Sequence, residues 1–134
     1  MNRTHLEGAA EALAAQQGYA FHTGPEDGMA HTMRSYPAAW LAPLELHAVE
    51  GRGHGRATYN MTLHLLSSGA RLSPTERRAA LARMEEQLLE IFAALSLDER
   101  VLAVEGLSVR PRAFALTPHG EISQTAAARI VTFF

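Results

Sequence analysis

The stretch from Ser73 to Leu95 constrains the fold of this chain more than any other. Ser73-Pro74-Thr75-Glu76 has the form of a capping box. The serine hydroxyl can accept from the Glu76 amide while the Glu76 carboxylate reaches back to the Ser73 amide, and proline suits the first helical position. Behind it, Leu81, Met84, Leu88, Ile91, Phe92 and Leu95 recur at three- and four-residue spacing. That spacing predicts one apolar stripe along a helix of about six turns, at ~3.6 residues per turn. Arg77, Arg78, Glu85, Glu86 and Glu90 fill the other faces. A helix of this kind needs a broad apolar surface to cover, and the flanking segments have the pattern of strands.

Residues 39–50 and 57–66 supply two long strand candidates. In the first, Trp40, Ala42, Leu44, Leu46 and Ala48 are expected on one face, with Glu45 and His47 on the other. Pro43 removes a ladder donor there, which predicts an edge position or a bulge. In the second, Ala57, Tyr59, Met61, Leu63 and Leu65 alternate with Thr58, Asn60, Thr62 and His64, the signature of a half-buried strand. The glycine-rich segment 51–56 joins the two as a hairpin connection. Upstream, Thr4 and Glu7 have the spacing of a second capping box, opening a short alanine-rich helix that Gly18 ends. A brief strand is expected at 19–23, then an irregular loop from Gly24 to Pro37. Downstream lie a strand at 101–109 with Gly106 as a bulge, a strand at 113–117 and a long final strand from Ile122. The reading is one domain over residues 1–134, of class α+β. Its mostly antiparallel sheet carries the long helix and the short N-terminal helix on one face.

Composition narrows the function classes. An apolar fraction of 47% with 19% charged residues belongs to a globular chain. Without cysteine, neither a disulfide framework nor a thiolate metal site can form. No apolar run reaches the ~18 residues of a membrane span, and the first residues lack the apolar core of a signal peptide, so residence in the cytosol is expected. All 12 basic residues are arginine, dispersed along the chain rather than clustered as in a nucleic-acid footprint.

No motif carries catalysis. The outward faces of the hairpin would collect Glu45, His47, Asn60, Thr62 and His64, all possible ligands of a divalent ion, but their spacing matches no metal signature. A solvated polar strand face accounts for them. There is no nucleophile elbow. Gly51-Arg52-Gly53-His54-Gly55 precedes a strand, so no helix N-terminus would receive a phosphate there. Glu105 is the one carboxylate in an otherwise apolar strand, and the adjacent Gly106 favours its exposure at a bulge. No residue is assigned a catalytic, cofactor-binding or metal-binding role.

The order of elements does match a known pattern. A short helix and strand lead to a loop, and Pro37-Ala38-Ala39-Trp40-Leu41-Ala42-Pro43 opens a long strand. A glycine-rich turn, the alternating strand Tyr59 to Leu65 and the Ser-Pro-capped helix follow, and Leu116-Thr117-Pro118-His119-Gly120 runs into the final strand. This resembles the small tail-terminator and tail-completion proteins of tailed bacteriophages and prophages. The resemblance implies a non-enzymatic virion component without cofactor, made in the host cytoplasm and incorporated into the tail. Such proteins form rings, often hexameric, that cap the tail tube and meet the head–tail connector. The loop 24–37 and the turn 51–56 would then be contact elements, through Met29, Met33, Arg34, Tyr36, Arg52, His54 and Arg56. Arginines near the lumen would face passing DNA without reading its sequence, and no membrane is involved. Two other classes fit the residues: a ligand-binding or enzymatic α+β domain with an apolar pocket, and a dimeric adaptor.

Overall fold

A computed structural model describes residues 2–29, 35–112, 115 and 120–133. In chain order the elements are α1 (Asn2–Gln16), β1 (Ala20–Thr23), a 3₁₀ turn (Glu26–Gly28), β2 (Ala38–Leu41), β3 (Glu45–Arg52), β4 (His54–Ser67), α2 (Pro74–Leu95), β5 (Val101–Pro111) and β6 (Ile122–Phe133). The class is α+β, with a six-stranded, mostly antiparallel sheet.

The long helix forms as its sequence predicts. Glu76 N–H donates to Ser73 Oγ and Ser73 N–H to Glu76 Oε1, both at 3.2 Å, so two orphan amides of the first turn are satisfied reciprocally. Met84, Leu88, Ile91, Phe92 and Leu95 are buried along one stripe, with Ala80 joining them and Leu81 at the margin. At the other end of the chain, α1 starts earlier than the Thr4 cap would place it, so Thr4 lies inside the helix. A tertiary tie explains the extra residues: Asn2 Nδ2 donates to Thr132 Oγ1 at 3.0 Å and to Phe133 O at 3.1 Å. The C-terminus of α1 closes as a Schellman motif about Gly18 (φ +87°), Tyr19 N–H bonding Ala14 O and Gly18 N–H bonding Ala15 O.

The sheet has the order β1-β2-β4-β6-β5, with β1 and β2 parallel and the other pairs antiparallel. β3 pairs with β4 as well. β2 takes residues 63–66 of β4 and β3 takes residues 54–60, both along the same edge. The segment expected as one strand over 39–50 is thus two, divided around Pro43, with a bulge between Leu46 and Ala48. This corrects the facing of its side chains. Trp40 pairs with His64 and Leu46 with Tyr59, so the two lie on opposite faces of the sheet rather than on one. The Gly106 bulge is present, as a register shift between Glu105 and Ser108. Of the strand expected at 113–117, residue 115 belongs to no strand and the others lie outside the described residues.

Both helices pack on the face that carries Tyr59, Met61, Leu63 and Leu65 of β4 and Ala126 and Ile130 of β6. On the opposite, outer face the described residues form a small apolar cluster, Met29 with Ala38, Trp40 and Leu66, against which Tyr36 packs.

The β3–β4 hairpin turns at Gly53, and Gly51 (φ +97°), paired with Gly55 just before the turn, has no room for a side chain: a Cβ there would come within 2.8 Å of both Gly55 Cα and His54 O. Gly51→Ala therefore forces either a disfavoured backbone region or a parting of the two strands. The expected loss is about 1–3 kcal/mol, read from chemical denaturation. Amide exchange should accelerate in residues 49–57 while α2 keeps its protection.

Candidate functional site

The outer face is where the sheet register assembles polar chemistry. His22 pairs with Trp40, Trp40 with His64, His64 with Thr125, and Thr125 with Arg110, so one row crosses five strands. His22 stacks on Trp40, ring centroids 5.9 Å apart, and the indole N–H donates to Gly24 O at 2.9 Å. That contact draws the start of the 24–37 loop onto the sheet. The 3₁₀ turn that follows places Glu26 over His64.

His64 is fully buried. Its Nε2 lies 3.1 Å from Glu26 Oε1 and its Nδ1 2.7 Å from Thr125 Oγ1. Arg112 Nε–H in turn donates to Thr125 Oγ1 at 3.3 Å. One arrangement of protons satisfies every member. His64 donates from Nε2 to the carboxylate, Thr125 donates its hydroxyl proton to Nδ1, and Thr125 accepts from Arg112. This is the neutral imidazole. Burial pushes the His64 pKa below the usual imidazole value and the Arg112 charge pushes the same way, while the hydrogen bond and charge of Glu26 oppose them.

Beside this string is a hollow of about 540 Å³ bounded by Ser108, Arg110, Arg112, Thr125 and Ala127. The Arg112 main-chain N–H is fixed to Ser123 O at 3.1 Å. With Nε committed to Thr125, its two Nη groups have no acceptor among the described residues, and neither has Arg110. A neighbouring hollow shares Ser108 and Ala127 but carries carboxylates, with Glu45 and Glu105 beside a single arginine, Arg129.

Carboxylate, imidazole and hydroxyl in sequence have the connectivity of a nucleophile triad. The backbone supplies no second requirement, because β6 is paired on both edges and its amides are spent in the ladders. Among the described residues no pair of N–H groups is left beside Thr125 to receive an oxyanion.

The contact residues named from sequence fall into two regions at opposite ends of β4. Arg52, His54 and Arg56 are at the hairpin tip, Arg52 opposite His54 and Arg56 opposite Phe133. Tyr36 and Met29 belong to the Trp40 cluster near Leu66, about 33 Å from Arg56 at ~3.3 Å per residue. Met29 is buried within that cluster, so in the subunit it packs on its own domain. Met33 and Arg34 lie outside the described residues. The expected polar face of Glu45, His47, Asn60, Thr62 and His64 is also corrected. His64 is on the outer face but covered, and His47 sits at the β3 bulge. Among the described residues no three of His, Asp or Glu converge as metal ligands would.

No protein-family model matches the chain, and no curated protein matches it. The geometry has to carry the functional argument. Sequence reasoning missed Glu26, Thr125, Arg110 and Arg112. Only the alternation that put Thr62 and His64 on one face pointed towards them.

With its pKa below that of the unfolded chain, His64 binds fewer protons in the native state near pH 6. Stability is then fully present above the ordinary imidazole value of about 6.5 and is lost as pH falls through it towards the native value. NMR titration should show His64 ionising below the ordinary imidazole value. Glu26→Gln, which keeps an acceptor but removes the opposing charge, should move the His64 midpoint lower still.

Proposed function

We propose that this chain is a structural component of a phage or prophage tail, a terminator, completion or head–tail joining protein. On this reading it acts by self-assembly into a ring and by binding neighbouring virion proteins. The observation that carries the reading is where the exposed apolar side chains are. Leu46 (51% exposed) and Val49 (55%) stand on β3, on the side that carries the helices. Leu102 and Phe133, each about half exposed, line a hollow with His54 and Arg56, and Leu97 (86%) lies just before β5. These are five of the six large apolar side chains exposed among the described residues, the other being Leu89 on α2, and all five are at the hairpin end of the sheet, where α1 begins and α2 ends. A monomer in water has no use for such a concentration, whereas an interface does. Among the described residues the outer edge of β3 is unpaired as well, leaving ladder groups open to another chain.

A ring joins two different patches, while a two-fold dimer joins one patch to itself. The apolar hairpin end and the polar outer face are chemically unlike, which supports the ring geometry. No helix among the described residues is long and apolar enough to cross a membrane. A second reading, a small dimeric ligand-binding or adaptor domain, is favoured by one observation, the arginine-lined hollow of the outer face.

Light scattering over a range of concentration, with negative-stain imaging, tests the assembly. A closed species of five or more subunits is expected. Leu46→Glu with Val49→Glu, both exposed in the subunit, should return it to monomer without lowering the midpoint of thermal unfolding of the subunit. A tight dimer indifferent to both substitutions would overturn the ring.

A further inference from the structure

The hollow beside His64 combines features that neither the fold nor the assembly reading requires. Two guanidinium groups, Arg110 and Arg112, and two hydroxyls, Ser108 and Thr125, border one space on the outer face. Its volume of about 540 Å³ is in the range of small-ligand sites. The adjoining hollow places Glu45 and Glu105 with its one arginine, but among the described residues no carboxylate lines this one. Arg112 is held at its main-chain N–H and at Nε, so its outer N–H fork is pre-oriented, as bidentate recognition of an oxyanion needs. Arg110 lies opposite Thr125 on the adjacent strand.

We propose that this hollow binds a tetrahedral oxyanion, a phosphate group or its analogue, and that filling it is coupled to proton uptake by His64. The coupling follows from the hydroxyl of Thr125. While His64 is neutral, that hydroxyl spends its one proton on Nδ1 and offers the hollow only lone pairs. When His64 takes a proton at Nδ1, the direction of that bond reverses. Thr125 then accepts from both Nδ1–H and Arg112 Nε–H, which uses its two lone pairs, and its own O–H is released to donate to the anion. Protonation adds a positive charge one hydrogen bond behind the ligand. The groups that face His64 among the described residues are Glu26 from the 3₁₀ turn, Trp40 from β2, Thr125 from β6 and Arg112 beyond β5. Glu26 retains its bond to Nε2–H in both states, so the new charge keeps its partner. By linkage, an anion that binds the protonated form better must raise the pH at which His64 ionises.

The test is an NMR titration of the whole chain with sulfate, at ionic strength held constant with chloride, near pH 5.5 and near pH 7.5. These lie on either side of the ~6.5 of free imidazole. Sulfate keeps its charge over this range, so any pH dependence belongs to the protein. The expected result is saturable shifts at Ser108, Arg110, Arg112 and Thr125, several-fold tighter binding near pH 5.5, and an upward move of the His64 midpoint. Inorganic phosphate and glycerol phosphate should compete, and whichever binds tighter assigns the hollow to free or esterified phosphate. Arg112→Gln should weaken sulfate on the order of tenfold at both pH values. Thr125→Val, close in shape, should leave weak binding without pH dependence. Where it fails to fold, the His64 midpoint of the unaltered chain decides. Shifts spread equally over Arg52 and Arg56 would overturn the site. Equal affinity at both pH values with an unmoved His64 would overturn the coupling.

Discussion

The pairing of β4 with β6 is the constraint from which the rest of this structure follows. It runs unbroken from Arg56 opposite Phe133 to Ser67 opposite Ile122. Because side chains alternate with a period of two, this one register decides what each face can be. Met61, Leu63 and Leu65 go to the helices together with Ala126 and Ile130, while Thr62 and His64 go outward together with Ala127 and Thr125. A slip by one residue would exchange the two sets, placing a histidine and two threonines under α2. The apolar stripe of α2 fits only the first set. The helix therefore holds the register, and the register in turn holds the outer-face string.

The length of β4 has a second consequence. At 14 residues it is longer than either partner on its free edge, so β2 and β3 divide that edge between them. The division at Pro43 lets β2 follow the core while β3 runs past the helices. Arg3 reaches this junction, donating to Leu44 O with its guanidinium over the Tyr59 ring. Beyond it the helices no longer cover β3, and Leu46 and Val49 emerge exposed on the side they would otherwise protect. The apolar hairpin end is in this sense a product of strand lengths rather than of composition.

How much of this was legible in the sequence depended on the range of the interaction. The α2 cap and stripe were legible because every contact that defines them is local or repeats at helical spacing. The alternation of β4 was legible for the same reason, and so was the Gly106 bulge. The break in the preceding strand was only half legible: Pro43 signalled an irregularity, but the change of face between Trp40 and Leu46 depends on which residues of β4 each half meets. Thr4 failed as a cap because Asn2 is tied to Thr132, about 130 residues away in sequence. The candidate site was least legible. Glu26, His64, Thr125 and Arg112 come from four separate segments, and only the register and the Trp40–Gly24 bond bring them together. His64 read as a solvated strand residue because nothing in its neighbourhood announces that a distant turn will cover it.

That string is a demanding way to build an outer face. A buried imidazole must have both nitrogens satisfied, and here this takes an exposed glutamate, a threonine and an arginine held by two bonds. Leucine or valine at position 64 would pack against Trp40 with none of these requirements. The polar solution does provide something an apolar one cannot: a single proton whose position sets which way the Thr125 hydroxyl points, at the wall of a hollow with unspent positive charge. The apolar hairpin end begins about 17 Å away along β4 at ~3.3 Å per residue, where Leu46 lies opposite Tyr59, and it shares no residue with the string. On the proposed reading the two surfaces serve separate purposes, one to join subunits and the other to answer to the solution around them.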